Sequence, residues 1–213
     1  MGQDTDSAAF DAFERQSSFS RRQWELLGAA VRLLDRVGIS EFTMRGLADE
    51  IGLSPMAAYK HFENQRALQL ELWRECQNHF YDRLLESTRD AADPAAGFLA
   101  LCRAFAEYAV EYPYRSELLY NHPFVREIVE IAPLEEQRQS AWVFARELVE
   151  RAQSAGLFRA DQPADVLLLA AASQVRGLAA TIIYARMAAF GDLSPAAMID
   201  VSLGFIRDAL IAR

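Results

Sequence analysis

The side chains best suited to phosphate contact in this sequence follow Gly52, in the stretch LSPMAAYKHF. Hydroxyl, aromatic, ammonium and imidazole groups occur together there, and no acidic residue appears before Glu63. The solvent side of a helix in an acidic protein usually carries Asp or Glu, so this composition indicates a surface that meets an anion. The residues on that surface are Ser54, Met56, Ala57, Tyr59, Lys60 and His61.

Two short helices joined by a tight corner position these side chains. Thr43 can cap a helix over residues 44–51, Gly52 ends it, and Ser54 with Pro55 begins the next helix. Each is too short to be stable alone, so a third helix over residues 21–37 must support them. This spacing is typical of a helix-turn-helix, whose second helix enters the DNA major groove. An ordinary helical corner is the alternative that spacing alone leaves open.

The distribution of charge is compatible with this interpretation. The whole chain has 213 residues and a net charge of −8, from 30 acidic and 22 basic residues, so its totals do not indicate a nucleic-acid partner. Residues 21–66, however, contain seven basic and six acidic residues, and the segments on either side are acidic. This small excess permits DNA binding without establishing it.

The remainder of the chain is predicted to be helical throughout. Pairs such as Asp93-Pro94 and Ser194-Pro195 are typical of helix starts, glycines follow the ends, and no segment alternates as a strand does. Cys76 and Cys102 lack paired spacing, which favours buried free thiols over a disulfide or a metal site. The most apolar stretch, DVLLLAAASQVRGLAATIIYARMAAF, is interrupted by Gln174 and Arg176. We therefore expect a cytoplasmic protein with no leader peptide and no membrane span.

The stretch GISEFTMRGLADEIGLSPMAAYKHFENQRAL resembles the N-terminal domain of the TetR family of bacterial transcriptional regulators. The matching positions, within roughly residues 21–68, are Gly38, Thr43, Arg45, Ala48, Gly52, Leu53, Ser54, Tyr59, His61, Phe62 and Leu68. The resemblance implies an all-α fold with an N-terminal three-helix helix-turn-helix head and a larger C-terminal helical body for ligand binding and dimerisation. We expect an acidic arm over residues 1–19, the head over 20–66 and the body over 67–213.

The resemblance also implies roles in the head. Thr43 would contact a phosphate, Arg45 a base edge or a phosphate, and Pro55, Met56 and Ala57 would face bases. Tyr59, Lys60 and His61 would hold the phosphate backbone. The family usually has a phosphate-binding lysine where this sequence has Gln65. Since glutamine donates hydrogen bonds but carries no charge, we expect weaker and less salt-dependent binding.

Two further sets of residues are expected in the body. By resemblance, the helices enclose a pocket for a small molecule, with Phe80, Leu84, Phe105, Tyr108, His122, Trp142 and Gln174 as candidate lining residues. Ordinary core packing is the alternative for each. The last two long helices would form a dimer interface, in which Ala171, Gly177, Ala180 and Gly204 allow close approach. The alternative for these glycines is a bend or a neighbour within the chain.

Together these observations predict a ligand-responsive transcriptional regulator. It would be a repressor that binds a palindromic DNA operator as a homodimer and is released by a small apolar or aromatic effector, without a cofactor. One alternative is a protein of the same fold whose head binds a protein or no DNA. A remote alternative is a helical-bundle enzyme, but the sequence has no Gly-rich phosphate loop, no metal-ligand spacing and no recognisable catalytic triad.

Overall fold

The computed structural model describes residues 19–54, 56, 59–62, 64–121, 132–184 and 193–211, with backbone alone at residues 121 and 132–138. The prediction of an all-α protein is confirmed. Within these residues the helices are α1 (Arg21–Val37), α2 (Met44–Glu50), α3 (Gln65–Thr88), α4 (Pro94–Glu111), α5 (Pro113–Ser116), a π-helix (Glu117–Asn121), α6 (Ala132–Ser154), α7 (Ala164–Tyr184) and α8 (Pro195–Leu210). Extended pairing in the described part is limited to an isolated bridge between Phe158 and Ile211.

The helices begin where local capping chemistry directs them to begin. Ser20 forms a capping box with Gln23 at the start of α1. The side chains of Thr43, Asp93 and Ser194 each accept a hydrogen bond from the backbone N–H three residues later, and Asn64 Oδ1 accepts one from Ala67 N at 2.8 Å. Each bond satisfies an amide that has no partner within its helix, and the starts at Thr43, Asp93 and Ser194 agree with the sequence prediction.

The end of α1 requires a glycine for two reasons. Gly38 has a φ of +75°, and its N–H donates to the carbonyl of Leu34 at 2.8 Å. A Cβ at this position would also lie 2.9 Å from the ring of Tyr114. Any other residue would strain the backbone and displace that ring.

The residue contacts divide the chain into two compact units. One comprises Met1–His79 and Tyr114–Gln139, and the other Phe80–Pro113 and Ser140–Arg213. In the first unit the core includes Leu26, Leu34, Phe42, Leu47, Leu68 and Trp73, all at most 2% exposed. In the second, Phe98 packs edge to face on Phe158 with ring centroids 5.9 Å apart. The functional boundary expected between residues 66 and 67 stays a prediction.

A partly buried ion pair joins distant parts of the first unit. Arg115 of α5 donates to both carboxylate oxygens of Asp35 in α1, from Nε at 2.7 Å and from Nη2 at 2.5 Å. Its Nη1 lies 3.2 Å from Nδ1 of His79 in α3. The side chain of Arg115 is 13% exposed and that of Asp35 is 33% exposed. The pair therefore holds α5 against the helix that supports the helix-turn-helix.

The N-terminal arm meets this unit through its last residue. The ring of Phe19 lies 5.5 Å from that of Trp24 and 6.0 Å from that of Phe62, centroid to centroid. Residues 1–18 lie outside the described residues, so the remainder of the predicted acidic arm stays a prediction.

Both cysteines are free and buried, as predicted. Burial raises the pKa of the Cys76 thiol and of the Cys102 thiol to about 12, because a thiolate would lose its hydration. Cys76 has this raised pKa even though the nearby cation of Arg115 acts to lower it. Neither thiol is therefore suited to redox or nucleophilic chemistry.

The native protein should resist thiol-specific labelling at pH 8, where a thiol of pKa 12 is a thiolate in about one molecule in ten thousand. Absorbance of released thionitrobenzoate should show slow labelling in buffer and two labelled thiols in concentrated urea. The stability that the neutral thiols contribute is complete below pH 9 and is lost as the pH rises towards 12. Rapid native labelling would contradict the burial of both residues.

Helix α7 is long and apolar enough to cross a membrane by composition, with a mean hydropathy of 1.8 over its most apolar window. One such helix is weak evidence for a span. Gln174 in its middle donates from Nε2 to the carbonyl and hydroxyl oxygens of Ser202 in α8, both at 3.0 Å. Helix α7 thus packs against α8 through hydrogen bonds as well as apolar contacts. This packing does not account for the apolar side chains on its outer side.

Candidate nucleic-acid interface

Thr43 and Arg45 lie on the outer side of α2. Met44, Leu47 and Ala48 are at most 2% exposed and form the buried side of α2. Thr43, directly before the helix, and Arg45 within it are exposed to solvent. The backbone of Thr43 is extended, and its Oγ1 accepts a hydrogen bond from Gly46 N at 3.0 Å. The structure places both predicted DNA contacts at the surface, and their roles stay predictions.

The corner after α2 is formed by glycine and closed by the backbone. Gly52 has a φ of +66°, which calls for glycine whatever the surrounding space, and no atom of the described residues lies within 4 Å of an added Cβ. Leu53 N donates to the carbonyl of Ala48 at 2.9 Å. Phe62, 6% exposed, anchors the far end of the following segment in the core.

That segment presents large side chains to solvent. Met56 is 73% exposed and Tyr59 46% exposed, and both have helical geometry. Ser54 and Lys60 are also exposed, and His61 is half-buried. The predicted base-facing residues Pro55 and Ala57 lie outside the described residues. The described side chains form an exposed strip with apolar, aromatic, hydroxyl and cationic groups.

Two cations on this surface are available to an anionic partner. Neither Arg45 nor Lys60 forms an ion pair with another described residue. Arg36 of α1, in contrast, forms an ion pair with Glu50 of α2. The hydrogen bond from Arg36 lowers the pKa of the Glu50 carboxyl and keeps it ionised and paired. The ion pair with Arg36 thus compensates the charge of Glu50 without involving Arg45 or Lys60.

Two glutamine side chains hold backbone carbonyls beside the strip. Gln65 donates from Nε2 to the carbonyl of Phe42 at 3.2 Å, directly before Thr43. Gln23 donates from Nε2 to the carbonyl of His61, also at 3.2 Å, directly after Lys60. The sequence singled out Gln65 for the charge it lacks, and it gave no signal for Gln23 beyond helix capping.

The predicted ligand-binding residues fall into two groups. Phe80, Leu84 and Tyr108 are at most 2% exposed, and Phe80 packs on Phe105 and Tyr108 with centroids 5.3 and 5.0 Å apart. This group forms a filled aromatic cluster in the second unit. Trp142, 39% exposed, and Gln174, bonded to Ser202, face outward instead. His122 lies outside the described residues.

An open groove of about 390 Å³ lies elsewhere in the second unit. It is lined by Leu99, Ala100, Arg103, Asp200, Leu203, Gly204 and Arg207. Arg103 Nη2 donates to Asp200 Oδ1 at 2.5 Å across it. None of the predicted ligand-binding residues that the structure describes lines this groove.

Helices α7 and α8 carry large apolar side chains on the sides opposite their buried residues. On α7, Val166 is 48%, Leu169 59% and Tyr184 55% exposed, at the helical spacing that also includes Gly177. On α8, Val201 is 55% and Phe205 68% exposed. We call these five large residues, with Gly177 and Gly204, the apolar face. Such a face on a folded chain marks an interaction surface.

The predicted dimer residues are distributed unevenly over these helices. A Cβ added at Gly177 or at Gly204 would meet no atom of the described residues within 4 Å, so no neighbour in the described part of the chain explains either glycine. Ala171 differs, since it is 4% exposed and packs inside the second unit. Ala180 is half-buried. The sequence did not identify the large residues of the apolar face, because buried and exposed apolar positions cannot be distinguished in an apolar helix.

These features define a helical protein with a helix-turn-helix in its first unit and an exposed apolar face on its last two helices. Residues 26–72 match the family model described as bacterial regulatory proteins, tetR family. This match confirms the predicted resemblance of the N-terminal segment to that family. None of the curated proteins compared with this sequence matches it.

Solved structures share the fold over most of the chain. A protein with unknown function from Rhodococcus sp. RHA1 has a TM-score of 0.74 at 22% identity, with 91% of this chain and 97% of that chain covered. A TetR family transcription regulator from Marinobacter aquaeolei VT8 has 0.65 at 18%, with 94% and 99% covered. AibR, in complex with isovaleryl coenzyme A and operator DNA, has 0.67 at 17%, with 87% and 97% covered. At these identities the likeness shows the fold alone.

Proposed function

We propose that this protein is a cytoplasmic, ligand-responsive transcriptional repressor that binds a palindromic operator as a homodimer. The observation that carries the proposal is the exposed strip beside the helix-turn-helix corner. The strip holds Lys60 with Met56 and Tyr59, and Arg45 of α2 lies beside it, all inside the segment matched by the tetR family model. Neither cation forms an ion pair with a residue that the structure describes. Cations position a protein on phosphates, and side chains on the second helix read base edges.

Dimerisation follows from the limits of one head. A single short recognition helix contacts few base pairs, whereas a twofold pair reads two half-sites of a palindrome. The apolar face supplies a surface for this pairing. Removing its large side chains from water in a dimer would contribute about 25 cal/mol for each Å² of apolar area buried.

Release would occur by a shift between two conformations of the dimer. An effector that binds better to the conformation whose heads no longer fit successive grooves favours that conformation. Helix α3 is the proposed carrier of the movement, because its residues up to His79 belong to the first unit and those from Phe80 to the second. Phe80, Phe105 and Tyr108 would move apart to admit the effector.

The proposed effector is a small apolar or aromatic molecule. The support is the apolar cluster of Phe80, Leu84, Phe105 and Tyr108, whose single phenol is the type of polar group that orients a ligand. AibR was solved with isovaleryl coenzyme A, an acyl thioester with an apolar acyl group. Short-chain acyl thioesters are therefore one class to include in a screen.

Replacing Arg45 or Lys60 by alanine should weaken operator binding without unfolding the protein, because both side chains are exposed. Arg45→Ala should cost about 1–3 kcal/mol and relax sequence preference if Arg45 contacts a base. Lys60→Ala should flatten the slope of log K against log salt by about 0.9, the loss of one phosphate contact. Gel shifts with the region upstream of the protein's own gene, at several salt concentrations, measure both effects.

The matched control is Arg89→Ala, which removes an exposed arginine of the second unit paired with Glu86. It should bind the operator like wild type. If wild type binds operator and both head variants do so equally well, the strip is not the DNA interface. A wild-type protein that binds no operator at any salt concentration would favour the alternative in which the head binds a protein or no DNA.

A further inference from the structure

We propose that Gln65 is a positioning residue for DNA binding, which acts by fixing the peptide group that carries Thr43. The proposal rests on the proposed function and concerns how the DNA-facing surface is held. The sequence predicts a weaker phosphate contact at Gln65, because this residue is neutral where the family usually has a cation. The structure gives its side chain another partner, the carbonyl of Phe42.

The bond joins a rigid support to a DNA-facing residue. Gln65 is the first residue of α3, a helix anchored by Leu68 and Leu72, both 0% exposed. Phe42 is 2% exposed, so its side chain is fixed in the core. The amide of Gln65 fixes its carbonyl as well. The Phe42 carbonyl and the Thr43 nitrogen share one planar peptide group, so this bond also sets the direction of the Thr43 Cα.

Two hydrogen bonds from α2 restrict the backbone and the side chain of Thr43 on its C-terminal side. Its carbonyl accepts a hydrogen bond from Leu47 N at 3.0 Å. Its Oγ1 accepts one from Gly46 N, also at 3.0 Å, which sets the side-chain torsion. Thr43 is therefore held by α3 before it and by α2 after it. A hydroxyl held in this way loses less conformational entropy when it binds a phosphate.

The assignment changes what the glutamine contributes. A cation at this position would add a charge to the interface, whereas Gln65 adds a hydrogen bond inside the protein. Its effect on DNA should therefore depend on Thr43, since Thr43 makes the contact. A Gln65 that met the phosphate directly would act independently of Thr43. A double-mutant cycle distinguishes these two cases, because it measures whether the effects of Gln65 and Thr43 on operator affinity are coupled or additive.

The test is a double-mutant cycle on operator affinity with Gln65→Met and Thr43→Val. Methionine keeps the length and apolar stem of glutamine but cannot donate to the Phe42 carbonyl, and valine removes the hydroxyl. Gln65→Met should weaken binding by about 3- to 10-fold, the usual range for one lost hydrogen bond. The same change in the Thr43→Val background should have little further effect. All variants are compared at a temperature where circular dichroism shows them fully folded.

Two further variants separate positioning from stability. Gln65→Lys retains a donor for the Phe42 carbonyl and should bind at least as tightly as wild type at low salt. Where its ammonium also reaches DNA, the salt slope should steepen by about 0.9. Gln153→Met removes a glutamine that donates to the carbonyls of Arg159 and Gln162 in the second unit, both at 2.9 Å. This change should lower the melting temperature, because both hydrogen bonds are lost, and should leave operator affinity unchanged.

Wild-type binding to the operator tests the proposed function by itself, so the two failures are distinguishable. Beside normal wild-type binding, the positioning role is overturned if Gln65→Met binds like wild type. It is also overturned if the effects of Gln65→Met and Thr43→Val simply add, or if Gln65→Lys is as weak as Gln65→Met.

Discussion

Leucine in place of Gly177, or of Gly204, is expected to give a folded, helical monomer with little affinity for operator DNA. A Cβ at either position meets no atom of the described residues within 4 Å, so the described part of the monomer leaves room for the new side chain. Leucine is also a better helix former than glycine, which is about 0.8–1.0 kcal/mol less favourable than alanine in a helix. Against a closely packed twofold mate, however, each leucine would add a side chain where the proposed interface has only a hydrogen atom.

The expected effect is large because loss of the dimer removes the pairing of the two heads. A monomer retains one strip and binds one half-site, so its affinity should fall towards that of non-specific binding. Sedimentation velocity reports the mass of the particle, far-UV circular dichroism its helix content, and a gel shift its affinity. We expect half the mass, unchanged helix content and a lost operator complex.

Gly28→Leu is the matched control for this experiment. Gly28 also lies within a helix, and among the described residues an added Cβ there meets only the guanidinium of Arg32, at 3.7 Å. This variant should remain dimeric. If Gly177→Leu and Gly204→Leu also remain dimeric and bind operator, the interface lies away from the apolar face.

Asp35→Asn should destabilise the protein by about 2–3 kcal/mol. The change removes the charge that compensates Arg115, whose side chain is only 13% exposed and cannot recover full hydration. Breaking a fully buried pair costs about 3–5 kcal/mol, and the partial exposure of Asp35 reduces that cost. The shift of the urea unfolding midpoint, at unchanged m-value, measures it.

Two comparisons identify the source of this effect. Glu25→Gln removes a carboxylate that pairs with Arg21 and Arg22 at the surface, where Arg21 is 94% exposed. Because an exposed ion pair contributes little to stability, this change should shift the urea unfolding midpoint much less than Asp35→Asn does. The double change Asp35→Leu with Arg115→Met removes both charges and should recover part of the lost stability. A cost for Asp35→Asn no larger than that for Glu25→Gln would show that the pair contributes little.

The sequence by itself determined where the helices begin and end. Ser20, Thr43 and Ser194 cap their helices because each bond spans three residues, and Gly38 and Gly52 end theirs because only glycine adopts a positive φ without strain. The helix-turn-helix was predictable for the same reason, since its corner is a local feature. Its family was predictable from the residue types around that corner.

The tertiary structure alone decided which distant residues meet. Asp35 and Arg115 are 80 positions apart, and nothing near either residue indicates the other. The amide of Gln65 could have faced solvent, and only the packing of α3 brings it to the Phe42 carbonyl. Likewise α7 is apolar on nearly all sides in sequence, so only packing shows that Ala171 is buried while Leu169 is exposed. Local hydrogen bonds are encoded in short stretches of chain, whereas these contacts depend on how the helices pack in three dimensions.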